Sequence, residues 1–165
     1  MTALKSLFFL ILVPGLFVIA IPLAYLRVGP QVETGVLAWL AIPLWLVGWT
    51  VIIWCFRDFL VKGRGTPAPF DPPKELVATG PYRYVRNPMY GGVELALTAN
   101  FLWFGYWWML AYAAFLFATF HLFILFYEEP GLKQRFGASY EEYCRAVPRW
   151  IPRLFPSTKD TKATN

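Results

Sequence analysis

Residues 88–127 read PMYGGVELALTANFLWFGYWWMLAYAAFLFATFHLFILFY. The stretch holds two apolar runs, Pro88 to Phe104 and Trp107 to Tyr127, joined at Gly105-Tyr106. A helix needs about 20 apolar residues to cross the hydrocarbon core of a bilayer. Each run comes close to that length, and the short joint predicts a tight helical hairpin. Two further apolar runs lie upstream: Val36 to Phe56, with Pro43 inside it, and Leu7 to Leu26, interrupted by Pro14 and Pro22. Prolines are tolerated in such spans when neighbouring groups satisfy the freed backbone. The first run is too long for a signal h-region and lacks a small-x-small cleavage site, so it reads as a retained span. The expected fold is all-α: an integral membrane bundle of about four transmembrane helices plus short cytoplasmic C-terminal helices.

Composition agrees with that reading. The chain has 165 residues, 58% hydrophobic and 15% charged, against about 25% charged in soluble domains. Aromatics make up 19%, with eight Trp, and mean hydropathy is +0.46, as expected where rings crowd near headgroups. The length suits one domain, residues 1–156: an N-terminal half (1–60) with two spans, and a second half (65–155) built on the hairpin. Residues 157–165 are polar and small and are expected to be disordered.

The net charge is +5. The basic residues sit mostly between apolar runs, so the expected partner is anionic lipid rather than nucleic acid. Arg57, Lys62, Arg64, Lys74, Arg83 and Arg86 follow the second run, and Lys133, Arg135, Arg145, Arg149, Arg153, Lys159 and Lys162 follow the fourth. The loops after the first and third runs carry Arg27 alone. The positive-inside bias then places both long polar segments and both termini in the cytoplasm. The bacterial inner membrane is the expected host, with the endoplasmic reticulum as the alternative. Cys55 lies in an apolar run and Cys144 in a polar tail, and there is one His, so neither a disulfide nor a metal site is expected.

Local signals add detail. Asp71 before Pro72-Pro73 reads as a cap of a short turn, and Asn87 before Pro88 as the N-cap of the third span. Pro130 is expected to open a short helix reaching Phe136, closed by Gly137. Ser139 and Glu142 match capping-box spacing for another, stopped by Pro148 and Pro152.

Few polar groups lie at depth. Glu94 falls about two turns inside the third span, where an exposed charge costs about 2.5 kcal/mol or more, so it is expected to face the bundle or a cavity. Asn100 and His121 are the others. Glu128 and Glu129 end the fourth run, and two readings stand for them. They form a solvated pair at the boundary, or one faces a polar pocket and binds a cation or hydroxyls. His121 and Glu128, seven residues apart, share a helical face. No Gly-rich loop follows a strand, so neither a Rossmann fold nor a P-loop is supported.

Two stretches now act together. Residues 74–92 read KELVATGPYRYVRNPMYGG, and after the hairpin come Tyr127-Glu128-Glu129-Pro130, Phe136-Gly137, Tyr140, Tyr143 and Val147-Pro148-Arg149. Their order resembles the isoprenylcysteine carboxyl methyltransferase and phospholipid methyltransferase group, over residues 65–155. The resemblance implies S-adenosylmethionine as cofactor. It implies that Lys74, Glu75, Leu76, Val77 and Tyr82 line one side of the pocket, and that Asn87, Pro88, Met89 and Tyr90 line the other. It further implies that Glu128 binds a polar group of the cofactor and that the tail helices close over it. This chain departs from the pattern at Asn87, where the family often has His, and at Ile124, where the prenylcysteine enzymes carry a substrate-binding Arg.

Methyl transfer from a sulfonium is an in-line displacement that rests on positioning and exclusion of water. A neutral thiol or amine acceptor must also lose a proton, and Glu94 and Glu129 are the candidate catalytic bases. The expected substrate is a lipophilic small molecule or lipid-linked acceptor entering from the bilayer. Two rival readings stay open: a reductase of the sterol-reductase type using a reduced nicotinamide cofactor, and a non-catalytic membrane scaffold. The identity of the acceptor and the oligomeric state are not legible.

Overall fold

The computed structural model describes residues 12–63 and 74–152. The start of the first apolar run, the expected cap at Asp71 and the tail 157–165 lie outside the described residues. Five helices form: α1 (Leu12–Ala24), α2 (Gly35–Val61), α3 (Pro88–Phe104), α4 (Trp107–Phe136) and α5 (Ala138–Ala146). A 3-10 turn at Gly80–Arg83 precedes α3. Among the described residues there is no strand, only one isolated bridge between Gln31 and Tyr106. The all-helical expectation is met, and two helices, α2 and α4, are long and apolar enough to cross a membrane.

The centre of the bundle is a crossing of α2 and α3. A Cβ at Gly48 would lie 2.7 Å from the Gly92 carbonyl oxygen, and one at Gly92 2.8 Å from that of Gly48. Lipid offers no hydrophobic drive to bring helices together, so association depends on close packing of small residues. Around the crossing, Val18 from α1, Ile52 and Phe56 from α2, Val93, Ala96 and Leu97 from α3, and Ala113 and Leu116 from α4 form one buried core.

The donor missing at Pro22 of α1 is compensated from outside that helix. Pro22 has no N–H, so it can satisfy neither the Val18 carbonyl in α register nor that of Phe17 in the wider π register seen at Gly15–Ala20. Asn100 Nδ2 donates to the Val18 carbonyl at 2.7 Å, and Tyr112 Oη donates to that of Phe17 at 3.2 Å. Asn100 Oδ1 in turn accepts from Trp45 Nε1 at 2.9 Å. One buried amide thereby ties α1, α2 and α3.

At one end of the bundle the two short connections knit together. Gly105 adopts a left-handed conformation (φ +73°) that ends α3, and a Cβ there would collide with the Val32 carbonyl. The Val32 N–H donates to the Gly105 carbonyl at 2.8 Å, and Gln31 Nε2 to that of Phe104 at 3.0 Å. The predicted hairpin therefore forms with its turn pinned by the loop after α1. The described parts of the long charged segments lie toward the opposite end.

Three local expectations need correction. The helix of the fourth run does not stop at Tyr127: it runs on to Phe136, so the helix expected from Pro130 to Phe136 and closed by Gly137 is present, but as the last segment of α4 (Glu129–Phe136). Pro130 is absorbed by a π turn at Ile124–Glu128, where the Glu129 N–H bonds to the Ile124 carbonyl. The Ser139–Glu142 capping box does not form, since α5 starts at Ala138 and its N-cap is Gly137 with no side-chain cap. Gly137 (φ +52°) both closes α4 and opens α5, which leaves Ser139 inside the first turn. Asn87 does occupy the N-cap of α3, but its side chain does not cap.

Gly48→Val drives a side chain into the α3 backbone. We expect a loss of about 1–3 kcal/mol, read as a lower thermal unfolding midpoint in detergent. Gly91→Ala, whose Cβ would meet nothing within 4 Å, is the matched control and should not lower it.

Candidate functional site

At the charged end of the bundle a cavity of about 320 Å³ opens between the helices. Its wall comes from every described helix except α1: Phe59 from α2, five residues of the connecting segment between Leu76 and Asn87, Met89 and Tyr90 from α3, one face of α4 between Phe123 and Phe136, and Tyr140 and Tyr143 from α5. Its character is aromatic. Phe59, Tyr82, Tyr90, Phe123, Tyr127, Phe136, Tyr140 and Tyr143 face it, with Leu76, Val77, Met89, Ile124 and Leu132 between them.

The continuity of α4 decides how the two acids are used. Neighbouring residues on a helix point about 100° apart, and the π turn sits immediately before Glu129. Glu128 Oε2 accepts from Tyr90 Oη at 3.0 Å. Glu129 points at the segment before α3 and at the chain after α5. Its Oε1 accepts from Arg86 Nη1 and from Arg149 Nε, both at 2.9 Å, and its Oε2 accepts from Arg149 Nη2 at 2.8 Å. Both Glu129 oxygens, on a residue expected as a candidate base, are occupied by guanidinium groups in this arrangement.

The wall built by α5 is fastened in several places. Tyr143 Oη donates to the Tyr82 carbonyl at 2.8 Å. Arg86 Nη1 also lies 2.9 Å from Cys144 Sγ. Beyond α5, the Arg86 N–H donates to the Pro148 carbonyl at 2.8 Å and Asn87 Nδ2 to that of Arg149 at 3.3 Å. Trp150 Nε1 donates to His121 Nδ1 at 3.0 Å, so the polar group at depth on α4 is a seat for the tail. Burial raises the phenol pKa values of Tyr82, Tyr140 and Tyr143 above the ordinary tyrosine range, which keeps them neutral donors.

Of the residues that the resemblance singles out, Leu76, Val77, Tyr82, Asn87, Met89, Tyr90 and Glu128 line the cavity together, as does Glu129. Lys74 and Glu75 are exposed outside the wall, and Pro88 is buried at the start of α3 without lining it. Glu94 lies one helical turn beyond Tyr90, off the wall, with Oε1 buried and without a hydrogen-bond partner among the described residues. Sequence reasoning missed the roles of Arg86, Arg149, Tyr140 and Tyr143. All four lie in the quoted motifs, but only the fold shows what they touch.

A cavity with one hydroxyl-bonded carboxylate among aromatic faces suits a cationic ligand with a flat ring. Comparison with known proteins adds an independent line. The family described as phospholipid methyltransferase matches residues 36–139. Methanethiol S-methyltransferase 2 of Bradyrhizobium diazoefficiens is 31% identical, over 74% of this chain and 49% of its own length. The chain thus spans about half the length of the curated relative it matches. No solved structure gives a significant match.

Tyr143→Phe strips the donor from the Tyr82 carbonyl while keeping the ring. We expect it to cost about 1–3 kcal/mol in detergent unfolding, with no such loss for Tyr84→Phe at an exposed ring.

Proposed function

The chain belongs to the phospholipid methyltransferase family, and on that premise we propose that it is a membrane enzyme transferring a methyl group from S-adenosylmethionine to a lipophilic acceptor. The observation that carries this reading is the division of charge in the cavity. The guanidinium groups of Arg86 and Arg149 are held by Glu129, whereas Glu128 is met by a neutral hydroxyl and remains able to face a cation or ribose hydroxyls. Aromatic faces around it suit a sulfonium and an adenine ring.

In this reading Glu128 and Tyr90 hold the polar part of the cofactor, and Leu76, Val77, Tyr82, Asn87 and Met89 pack around it. When bound, the cofactor supplies an electrophilic methyl group on a positively charged sulfur. The chain's own residues do the rest. The apolar and aromatic wall excludes water and holds the nucleophile in line. A neutral acceptor must release a proton, and Glu94 is the proposed proton acceptor: it is one turn from the cavity, and its buried Oε1 has no partner among the described residues.

The acceptor is drawn from prenylated thiols or carboxylates, phospholipid amines and small hydrophobic thiols. Ile124 is buried in the cavity wall, where the prenylcysteine enzymes carry Arg, which disfavours a carboxylate. The relative's name, a methanethiol S-methyltransferase, points the same way, toward a thiol. The proposed setting is a single domain over residues 1–156, with four spans, both termini and the cavity at the cytoplasmic face, and a bacterial inner membrane as host.

Calorimetry with S-adenosylhomocysteine tests the cofactor. Detergent-purified protein should bind it with micromolar affinity and not bind reduced nicotinamide dinucleotide phosphate. Glu128→Gln should weaken binding about tenfold or more, because a charge-assisted contact is lost. Binding of the nicotinamide alone would replace this reading with a reductase. Glu94 is tested by transfer from labelled S-adenosylmethionine to a small thiol. Glu94→Gln should slow transfer most where wild-type Glu94 is ionised and the thiol is still protonated, with the difference shrinking at lower pH as the carboxyl itself takes up a proton and at higher pH as thiolate forms unaided; full turnover across pH would remove Glu94 from the mechanism.

A further inference from the structure

The acid beside Glu128 has a task of its own. Glu129 is the meeting point of three parts of the chain: α4, which carries it; the segment before α3, through Arg86; and the strap after α5, through Arg149. The three side chains are 19%, 14% and 29% exposed, so the contact is largely shielded from solvent. Arg149 engages both carboxylate oxygens, the two-point geometry that makes such pairs directional.

This contact controls one wall of the cavity. α5 brings Tyr140 and Tyr143 to it and is joined to α4 through a single residue, Gly137, in the left-handed region. Its other end leads through Val147 and Pro148 to Arg149. With the Arg149 side chain released, α5 is still held by the Gly137 joint, by Arg86 and Tyr143, by the exposed Lys133–Glu141 pair, and through the strap by the Pro148 and Arg149 carbonyls and by Trp150 on His121. With Arg149 on Glu129, the strap gains a charged, two-point tie to α4 beside the cavity. Residues 147–150 do not line the cavity, whereas Glu129 and Arg86 do, so the strap reaches a ligand through α5 and through the side chains it ties down.

We propose that Glu129 is a positioning residue that latches α5 shut over the cavity and so sets how long the ligand stays bound. The proposal rests on the methyltransferase reading for the identity of that ligand. It assigns the two adjacent acids to different tasks, Glu128 to the ligand and Glu129 to the wall. A second pair, Lys133 Nζ and Glu141 Oε1 at 2.8 Å, also bridges α4 and α5, but its side chains are 65% and 44% exposed. Solvent screens such a pair, so it is the natural control.

The test uses detergent-purified full-length protein with two readouts: dissociation of radiolabelled S-adenosylhomocysteine after a chase, and hydrogen–deuterium exchange of residues 138–150 in ligand-free protein. Glu129→Gln and Arg149→Met should each speed dissociation about tenfold or more and raise exchange across α5. The double substitution should be no worse than Glu129→Gln alone, which already removes the Arg149 contact along with the Arg86 one. Glu141→Gln should change neither readout. Arg149→Lys keeps the charge but loses the two-point geometry; it should give an intermediate effect and carries the test if Glu129→Gln fails to fold. Unchanged dissociation and exchange in the variants, or single effects that multiply in the double, would overturn the latch. If wild-type protein does not bind S-adenosylhomocysteine, the cofactor reading falls, and the exchange comparison alone then decides the latch.

Discussion

A backbone polar group surrounded by lipid has no water to turn to, and the arrangement of this protein follows from that constraint. Proline is its sharpest form, because each one removes a donor. Pro22 leaves α1 carbonyls that only side chains from other helices can reach, and Asn100 and Tyr112 reach them. These polar contacts specify how α1 sits against α3 and α4, which apolar side chains of similar volume would do less directionally. The same logic closes the hairpin end, where the Val32 N–H donates to the Gly105 carbonyl and the Gln31 side-chain amide to that of Phe104.

At the charged end proline has a different consequence. Pro130 is taken up by a π turn, so the helix continues instead of breaking. An unbroken α4 carries Glu128 and Glu129 on a continuous helix that starts at the hairpin turn at the other end of the bundle. Two neighbouring carboxylates would repel if both faced one space. Both reach the cavity wall, but one meets a tyrosine hydroxyl and the other two arginines, so separate partners offset the repulsion. π turns recur at functional sites, and this one places a polar residue that an ordinary turn would have aimed elsewhere.

Asn87 shows why side-chain roles were harder to read than helices. Its position before Pro88 marks it as an N-cap, and the backbone agrees. Its amide nevertheless donates to the Arg149 carbonyl, 62 residues away, because the strap returns to this point. Lys74 and Glu75 show the reverse: a motif includes them, yet the segment turns them out to solvent while Leu76 and Val77 point in.

The sequence by itself determined the helical class, the membrane setting, the place of the hairpin turn and the family. Each depends on local or composition-level physics: apolar run length, glycine at a left-handed turn, and an ordered set of motifs. Only the tertiary structure decided that α4 passes through Pro130, that Glu129 is bound by arginines, and that α5 forms a wall fastened at both ends. Those outcomes depend on groups far apart in the chain arriving at one point. No local propensity encodes which of two adjacent acids will find a guanidinium and which a hydroxyl.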